Sequence, residues 1–417
     1  MSQAVAARPV KEVLKWPAEG ITHVPLQVYV DPDLYMWEQD RVFRGPVWNY
    51  LGLEVDIAGA GDYFTTKLGD TPIIVVRAES GSVNALVNRC AHKGVTVCYQ
   101  NEGNCKTFTC PYHNWIYDHQ GKLITVPFEH GVQKLGGMPA DFNKGDYRLV
   151  PLRVETINGL IFGTLSSAVK PLEEYLGATM VEHIRRTIHG KPRVIGRYRQ
   201  LMHNNWKLYA ENARDNYHPS LLHGFFSTFR LNRLSAEGGV RQDPAGWHHL
   251  VFTKRFTDKQ EGEYASGVIR AMKADYGLED PSIIDQWMEF DDSITSCIQC
   301  VFPNFVLQQI LNSIATRQIV PLGPNRCELV WTLIGFEADS EEQTAVRVKQ
   351  GNLVGPAGFV SMEDGVIGEF VQRGIQGDLD GKAVLLMGGR DVAPVPTRAT
   401  ETSVRGFWRV YRELMDV

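Results

Sequence analysis

Residues 90–113 read CAHKGVTVCYQNEGNCKTFTCPYH, and the rest of the chain is best understood outward from this stretch. It holds Cys90-x-His92, then seventeen residues, then Cys110-x-x-His113. Four of the seven cysteines fall here: Cys90, Cys98, Cys105 and Cys110. Seven cysteines in 417 residues, with no secretion signal, do not read as a disulfide framework. Two thiols and two imidazoles in paired short spacings read instead as metal ligands. A Cys2His2 set is an ordinary complement for structural zinc. The one-residue gap in Cys-x-His is tighter than zinc-finger pairing and suits two adjacent loops, each giving one thiolate and one imidazole.

Two such loops are what a Rieske [2Fe–2S] centre needs, with two thiolates on one iron and two histidines on the other. Neutral imidazoles raise the potential above that of an all-cysteine cluster. Cys90 and Cys110 are expected on the inner iron, and His92 and His113 on the outer one with their far nitrogens near the surface. Pro111 stiffens the second loop, Gly94 and Gly103 permit turns, and Trp115 and Tyr117 are placed to shield the cluster. Cys98 and Cys105 lie outside both motifs and read as packing residues or free thiols.

On either side of this segment, short apolar runs (PIIVVRA, SVNALVN, KLITVP, GLIFGTL) alternate with Glu-Ser-Gly, His-Gln-Gly and Ile-Asn-Gly turns. They predict a small all-β domain over residues 45–165. After Pro171 the texture changes, with helical stretches at EEYLGATMVEHIRRTI, NNWKLYAENARDNYH and EEQTAVRVKQGNLV, and strand-like FVLQQIL and CELVWTLIGF between. A last helix from Thr402 puts Val404, Phe407, Trp408, Tyr411, Leu414 and Met415 on one face, with Thr400 or Thr402 as its cap. Residues 166–417 therefore read as an α+β domain. Residues 1–44 read as a partly helical segment packing on that larger domain.

A second ligand set lies in NNWKLYAENARDNYHPSLLH. His218 and His223 are five apart, which on a continuous helix splays them by about 140°. Pro219 disfavours helical backbone at His218, so a break and restart there can bring the imidazoles together. Two histidines and one carboxylate make the facial triad of a non-haem Fe(II) oxygenase. Asp215, one turn before His218, can accept the proton of a ligating histidine. For the carboxylate ligand, Glu363, Asp364, Glu369, Asp378 and Asp380 are candidates, and periodicity does not separate Glu363 from Asp364.

Composition narrows the class. Hydrophobic residues at 43% and charged residues at 22% are ordinary for a globular chain. A formal net charge of −5 leaves no footprint for nucleic acid or an anionic membrane, so an anionic substrate needs local arginines. No apolar run approaches the ~20 residues of a spanning helix. The N-terminus MSQAVAARPVKEVLKWPAEG lacks a signal peptide's apolar core, so a cytoplasmic enzyme is expected. Cys297-Ile-Gln-Cys300 is a C-x-x-C pair without a second pair, and is expected to line a substrate cavity rather than carry redox or zinc chemistry. With no G-x-G-x-x-G fingerprint, electrons must come from a separate reductase.

With C-x-H…C-x-x-H and ENARDNYHPSLLH in this order, the chain resembles the α subunits of Rieske non-haem iron ring-hydroxylating dioxygenases over essentially its full length. The resemblance implies an N-terminal all-β Rieske domain and a larger helix-grip-like α+β catalytic domain with an antiparallel sheet. It implies one [2Fe–2S] cluster and one mononuclear Fe(II) per chain, with Asp364 of SMEDGVIGEFVQRG as the carboxylate ligand. It also implies that Asp215 bridges the iron of one subunit and the cluster ligand His113 of its neighbour. An α3 or α3β3 assembly with a small β subunit follows, fed by a flavin- and NADH-dependent reductase directly or through a ferredoxin. Within the family, LLHGFFSTFRLNRLS, FPNFVLQQILNSIATRQ, NLVGPAGFVSMEDG and RATETSVRGFW are similar to large subunits acting on benzoate-type acids. Terephthalate is foremost among these, followed by salicylate (a monohydroxylation) and anthranilate or 2-halobenzoate. The resemblance places Arg317 and Arg398 at substrate carboxylates, a role suited to bidentate guanidinium. The competing readings are a Rieske electron carrier without oxygenase activity and a zinc-bound regulator. The roughly 250 residues beyond the β domain exceed what a lone cluster domain needs.

Overall fold

The computed structural model describes residues 9–255 and 262–417; the first eight residues of the expected N-terminal segment lie outside them. The chain divides into two units, Phe43–Leu172 and the chain up to Val42 together with Glu173–Val417.

The smaller unit is built from antiparallel sheets. One has four strands in the order Val83–Val87, Thr71–Arg77, Asp62–Leu68 and Glu102–Asn104. A second joins Phe108–Thr109, Ile116–Tyr117 and Leu123–Thr125, and a third joins Arg153–Ile157, Leu160–Thr164 and Asn49–Leu53. Thr71–Arg77 is a central strand, and its run Ile73–Val76 is buried on both faces, which accounts for four consecutive β-branched residues. Ile74, Val76, Leu86, Phe108, Trp115, Tyr117 and Leu149 form a core that includes Cys90, Cys98 and Cys110, with Cys105 against it. Gly103 does not make the expected turn. It sits in a strand where a Cβ would come within 2.9 Å of the Tyr63 hydroxyl, so close approach is what requires glycine.

The larger unit is organised by a seven-stranded antiparallel sheet. Its order is Pro192–Met202, Arg326–Phe336, Ser313–Gly323, Phe305–Ile310, Ile294–Val301, His248–Lys254 and Gly238–Gln242. Register decides the functional face. Val251 pairs with Ile298, Thr253 with Ser296, Ser296 with Ile310, and Val306 with Arg317. Because side chains alternate with a period of two, Val251, Thr253, Ser296, Ile298, Ile310 and Arg317 share one face. Helices Trp206–Asn212 and Glu341–Val354 pack on Ser313–Gly323. The second begins with a capping box between Ser340 and Gln343. Helix Ser361–Gly374 packs against Trp206–Asn212. On the opposite face lies helix Ala178–Thr187.

A buried ion pair anchors the segment that carries the site. Lys207 Nζ lies 2.6 Å from Glu38, whose carboxylate also accepts from Tyr411 Oη and Trp206 Nε1 at 2.7 Å each. With every partner in place, loss of Glu38 leaves a buried cation unpaired, at a cost of about 3–5 kcal/mol. Tyr411 belongs to the terminal helix Thr402–Met415, which buries Val404, Phe407, Trp408, Tyr411 and Met415. The cap expected at Thr400 or Thr402 is instead Glu401, without a side-chain cap bond. Thr400 Oγ1 does accept the Thr402 N–H at 3.2 Å, while the Thr402 hydroxyl is used by the strap Asp391–Ala393. Among the described residues no helix is long and apolar enough to cross a membrane.

Candidate functional site

In the smaller unit Cys90 and Cys110 are buried, whereas His92 and His113 are exposed. Both loops use one backbone device. The Cys90 N–H donates to Val95 O at 2.8 Å and Gly94 N–H returns to Cys90 O at 2.9 Å. In the second loop Cys110 N–H donates to Trp115 O at 2.8 Å and Asn114 N–H to Cys110 O at 3.0 Å. The returning residue is left-handed in each, Gly94 at φ +72° and Asn114 at φ +53°, the two residue types that best tolerate it. The His92 and His113 rings lie 4.5 Å apart, and His92 stacks on buried Trp115 at 4.8 Å. Tyr117 Oη lies 3.2 Å from Cys90 Sγ, placed to donate to a thiolate there. Two inner thiols and two outer imidazoles are the donor set and layering that a [2Fe–2S] cluster with mixed ligands requires. Cys98 is held in the core by Asn88, whose amide exchanges hydrogen bonds with its backbone, and no cysteine among those described is in a disulfide.

In the larger unit the expected helix through NNWKLYAENARDNYH is short. It runs Trp206–Asn212, is followed by a turn, and restarts as Pro219–Leu222 with Pro at its first turn. His218 itself keeps helical angles (φ −72°, ψ −35°), contrary to the expectation from Pro219, and the breaks fall at 213–217 and at extended His223. His218, His223 and Asp364 each present a ligand atom within 4.8 Å of the others. Asp364 Oδ1 lies 3.5 Å from His218 Nε2 and 3.4 Å from His223 Nε2. Each imidazole has a carboxylate at its other nitrogen: Asp215 lies 3.4 Å from His218 Nδ1, and His223 Nδ1 donates to Glu363 at 2.7 Å. Asn212 Nδ2 donates to Asp364 Oδ1 at 3.0 Å. Burial alone would raise the Asp364 carboxyl, but His223, His218 and the Asn212 bond bring it down to about 2. Burial would likewise lower His218, yet Asp215 and Asp364 push it up to about 10. The site is thus anionic and built to hold positive charge, as a divalent metal supplies. Of the other candidate carboxylates, Glu369 turns to Arg373, and Asp378 and Asp380 are exposed.

A cavity beside this triad is lined by His218, His223, Asp364, Asn212, Asn216 and both arginines. Val251, Thr253, Ser296, Ile298 and Ile310 of the sheet face complete it. Arg317 (6% exposed) donates from Nη1 to Tyr209 Oη at 2.8 Å and lies over the Trp331 ring, while its Nε has no partner. Arg398 (2% exposed) donates from Nη1 to Asn232 Oδ1, leaving Nε and Nη2 buried without partners. Burial without a counter-ion pulls the Arg398 pKa down to about 10, still charged at neutral pH. Cys297 and Cys300 do not line this cavity. Alternation sends Cys297 to the opposite face beside His183, and Cys300 points to the Ala213 carbonyl, so the pair cannot act as one dithiol.

Residues 47–136 match the family model of the Rieske [2Fe-2S] domain, and residues 178–417 that of the ring hydroxylating alpha subunit catalytic domain. The chain belongs to the Rieske ring-hydroxylating oxygenase α subunits. It is 48% identical to the terephthalate 1,2-dioxygenase terminal oxygenase component subunit alpha 2 of a Comamonas species, over 97% of this chain and 98% of that one. It is 42% identical to the anthranilate 1,2-dioxygenase large subunit of Burkholderia cepacia, over 98% and 97% of the two chains. It is 38% identical to the salicylate 5-hydroxylase large oxygenase component of a Ralstonia species, over 100% of each. In fold it is similar to naphthalene 1,2-dioxygenase from a Rhodococcus species bound to indole, with a TM-score of 0.78 at 22% identity over 94% of each chain. As a ring-hydroxylating dioxygenase α subunit, the chain carries a Rieske [2Fe–2S] cluster in one domain and a mononuclear iron in the other.

Several contacts of this oxygenase subunit lie outside what its sequence pattern reveals. Asn212, Glu363, Tyr209 and Asn232 orient Asp364, His223, Arg317 and Arg398 respectively, and each meets its partner across more than 100 residues of sequence. Only Asn114 had a local signal, because it stands at the loop position that Gly94 occupies in the first loop.

Proposed function

We propose that this α subunit is the terminal oxygenase component that dihydroxylates a benzoate-type acid in cis, with terephthalate as the best-fitting substrate. The observation that carries the reading is Arg398. Its Nη1 is taken by Asn232, while the Nε–Nη2 edge, the edge that grips a carboxylate with two parallel hydrogen bonds, is buried and free. Arg317 brings a second buried cation to the same cavity. The three relatives' names share a ring carboxylate as substrate, and terephthalate supplies two, one for each arginine.

Cys90, His92, Cys110 and His113 would hold the cluster, and His218, His223 and Asp364 the iron. The iron supplies oxygen activation and the cluster supplies electrons from the reductase, directly or through a ferredoxin. Asp215 and Glu363 face the Nδ1 atoms of His218 and His223, which leaves each Nε2 on the side of Asp364, where a bound metal would take its lone pair. Asp215 also borders a groove of about 510 Å³, and this reading brings the His113 imidazole of a neighbouring copy to that side. That role requires an assembly of several copies, α3 or α3β3.

The test is NADH-coupled turnover with terephthalate, salicylate, anthranilate and 2-chlorobenzoate, counting added oxygen atoms by mass spectrometry. Terephthalate should be preferred and gain two oxygens. Arg398→Ala should raise its KM by about two orders of magnitude, the loss expected for one partner of a buried charge pair. Equal rates on all four acids, or an unmoved KM in Arg398→Ala, would remove the dicarboxylate. One added oxygen would shift the reading to salicylate-type monohydroxylation, which uses the same iron ligands.

A further inference from the structure

Asn216 lies in the turn between Trp206–Asn212 and Pro219–Leu222, two residues before His218. It is 3% exposed and lines the cavity of the two arginines, and its Nδ2 has no hydrogen-bond partner. Its neighbours differ in this respect. Asn212 spends its amide on Asp364, and Asn232 spends its carbonyl oxygen on Arg398. A buried N–H left unpaired is costly, and such groups in a folded protein call for a specific explanation.

The sign of the unpartnered atoms supplies one. Among the described residues lining the cavity, the buried side-chain atoms without partners are Asn216 Nδ2, His218 Nδ1, Arg317 Nε, and Arg398 Nε and Nη2. His218 Nδ1 faces Asp215. The remaining four are N–H donors, and no oxygen stands among them. A ligand that satisfies them offers acceptors only. Carboxylate oxygens accept from all four, whereas a ring amine would set donor against donor there.

We infer that Asn216 is a specificity-determining residue whose carboxamide N–H donates to a substrate carboxylate oxygen, adding an uncharged third donor to the two arginines. This rests on the reading of the cavity as a receptor for an aromatic diacid. Asn216 thereby selects for a second acceptor group on the ring and against aminobenzoates.

The holoenzyme with its reductase tests this in wild type, Asn216→Ala and Asn216→Asp. Steady-state kinetics on terephthalate and on its monoamide, 4-carbamoylbenzoate, are run alongside iron and cluster content. Asn216→Ala should raise the terephthalate KM about tenfold or more, the size of one hydrogen bond to a charged acceptor, with a much smaller change in kcat. Asn216→Asp should raise it further, because it sets carboxylate against carboxylate. It should also shift preference toward the monoamide, whose N–H₂ then finds an acceptor, a switch that a merely structural asparagine would not produce. Unchanged KM in both variants at full metal content overturns the inference while leaving the diacid reading intact, and so does loss of iron from both variants. A wild-type enzyme that turns over no aromatic diacid overturns the diacid reading and the inference with it.

Discussion

The two candidate metal sites of this chain are built in opposite ways. The cluster loops take all four donors from 24 consecutive residues, and paired backbone hydrogen bonds hold each loop. Their histidines are exposed, and rigidity comes from main chain and from the stack on Trp115. The iron site joins His218 and His223 to Asp364, more than 100 residues away in sequence, and none of these donors is held by a repeated loop. Side chains do that work: Asp215, Glu363 and Asn212 each touch a donor. A site framed by backbone should tolerate changes in its surroundings, whereas one framed by side chains should not.

The largest effect should follow at Asp215. Asp215→Asn keeps an oxygen that can accept from His218 Nδ1, so roughly three irons per chain, two in the cluster and one beyond it, should remain. The carboxylate charge and its reach to a second imidazole are lost, and coupled turnover should fall by at least about a thousandfold. Normal turnover in that variant would refute the bridging role. Glu363→Gln should be milder. It weakens the bond that orients His223, and partners of metal-bound histidines typically contribute 10–100-fold in affinity. Iron titration into the metal-depleted catalytic site should show that loss with the cluster's visible spectrum unchanged. Retention of full iron affinity would mean that the His223 ring is set by packing alone.

The same contrast explains what could be read from the chain. The cluster set is legible because ligand type and spacing lie within one window, and its flanking strands because β-branched runs and turn residues are local signals. His218 and His223 are legible as a pair, although the physical route differs from the expected one. Pro219 opens a new helical turn with His218 still helical, and the chain breaks before His218 and at His223 itself. The carboxylate was not separable by periodicity, for a reason now visible. Glu363 and Asp364 both reach His223, one at Nδ1 and the other toward Nε2, so consecutive positions of one helix bracket a single ring. No hydrophobic pattern distinguishes two polar residues that both point inward. The misassigned cap at Thr402 has a similar origin, since tertiary contacts to Asp391 and Ala393 claim its hydroxyl. Cys297 and Cys300 share a motif but not a face, because strand alternation separates residues three apart.

The smallest expected effect sharpens the contrast from the cluster side. Tyr117 places a hydroxyl 3.2 Å from Cys90 Sγ, and it also accepts the Ala91 N–H at 3.2 Å. A hydrogen bond to a ligating sulfur stabilises the reduced cluster more than the oxidised one, because reduction adds negative charge there. Tyr117→Phe should therefore lower the potential, by roughly tens of millivolts for one modest hydrogen bond. Cluster content should not change, since the loops keep their backbone bonds. Protein-film voltammetry reads the potential directly, and turnover should fall only as far as the reduced driving force dictates. A variant that loses its cluster would show that the loops depend on side chains after all, and the distinction between the two sites would then fail at its simplest point.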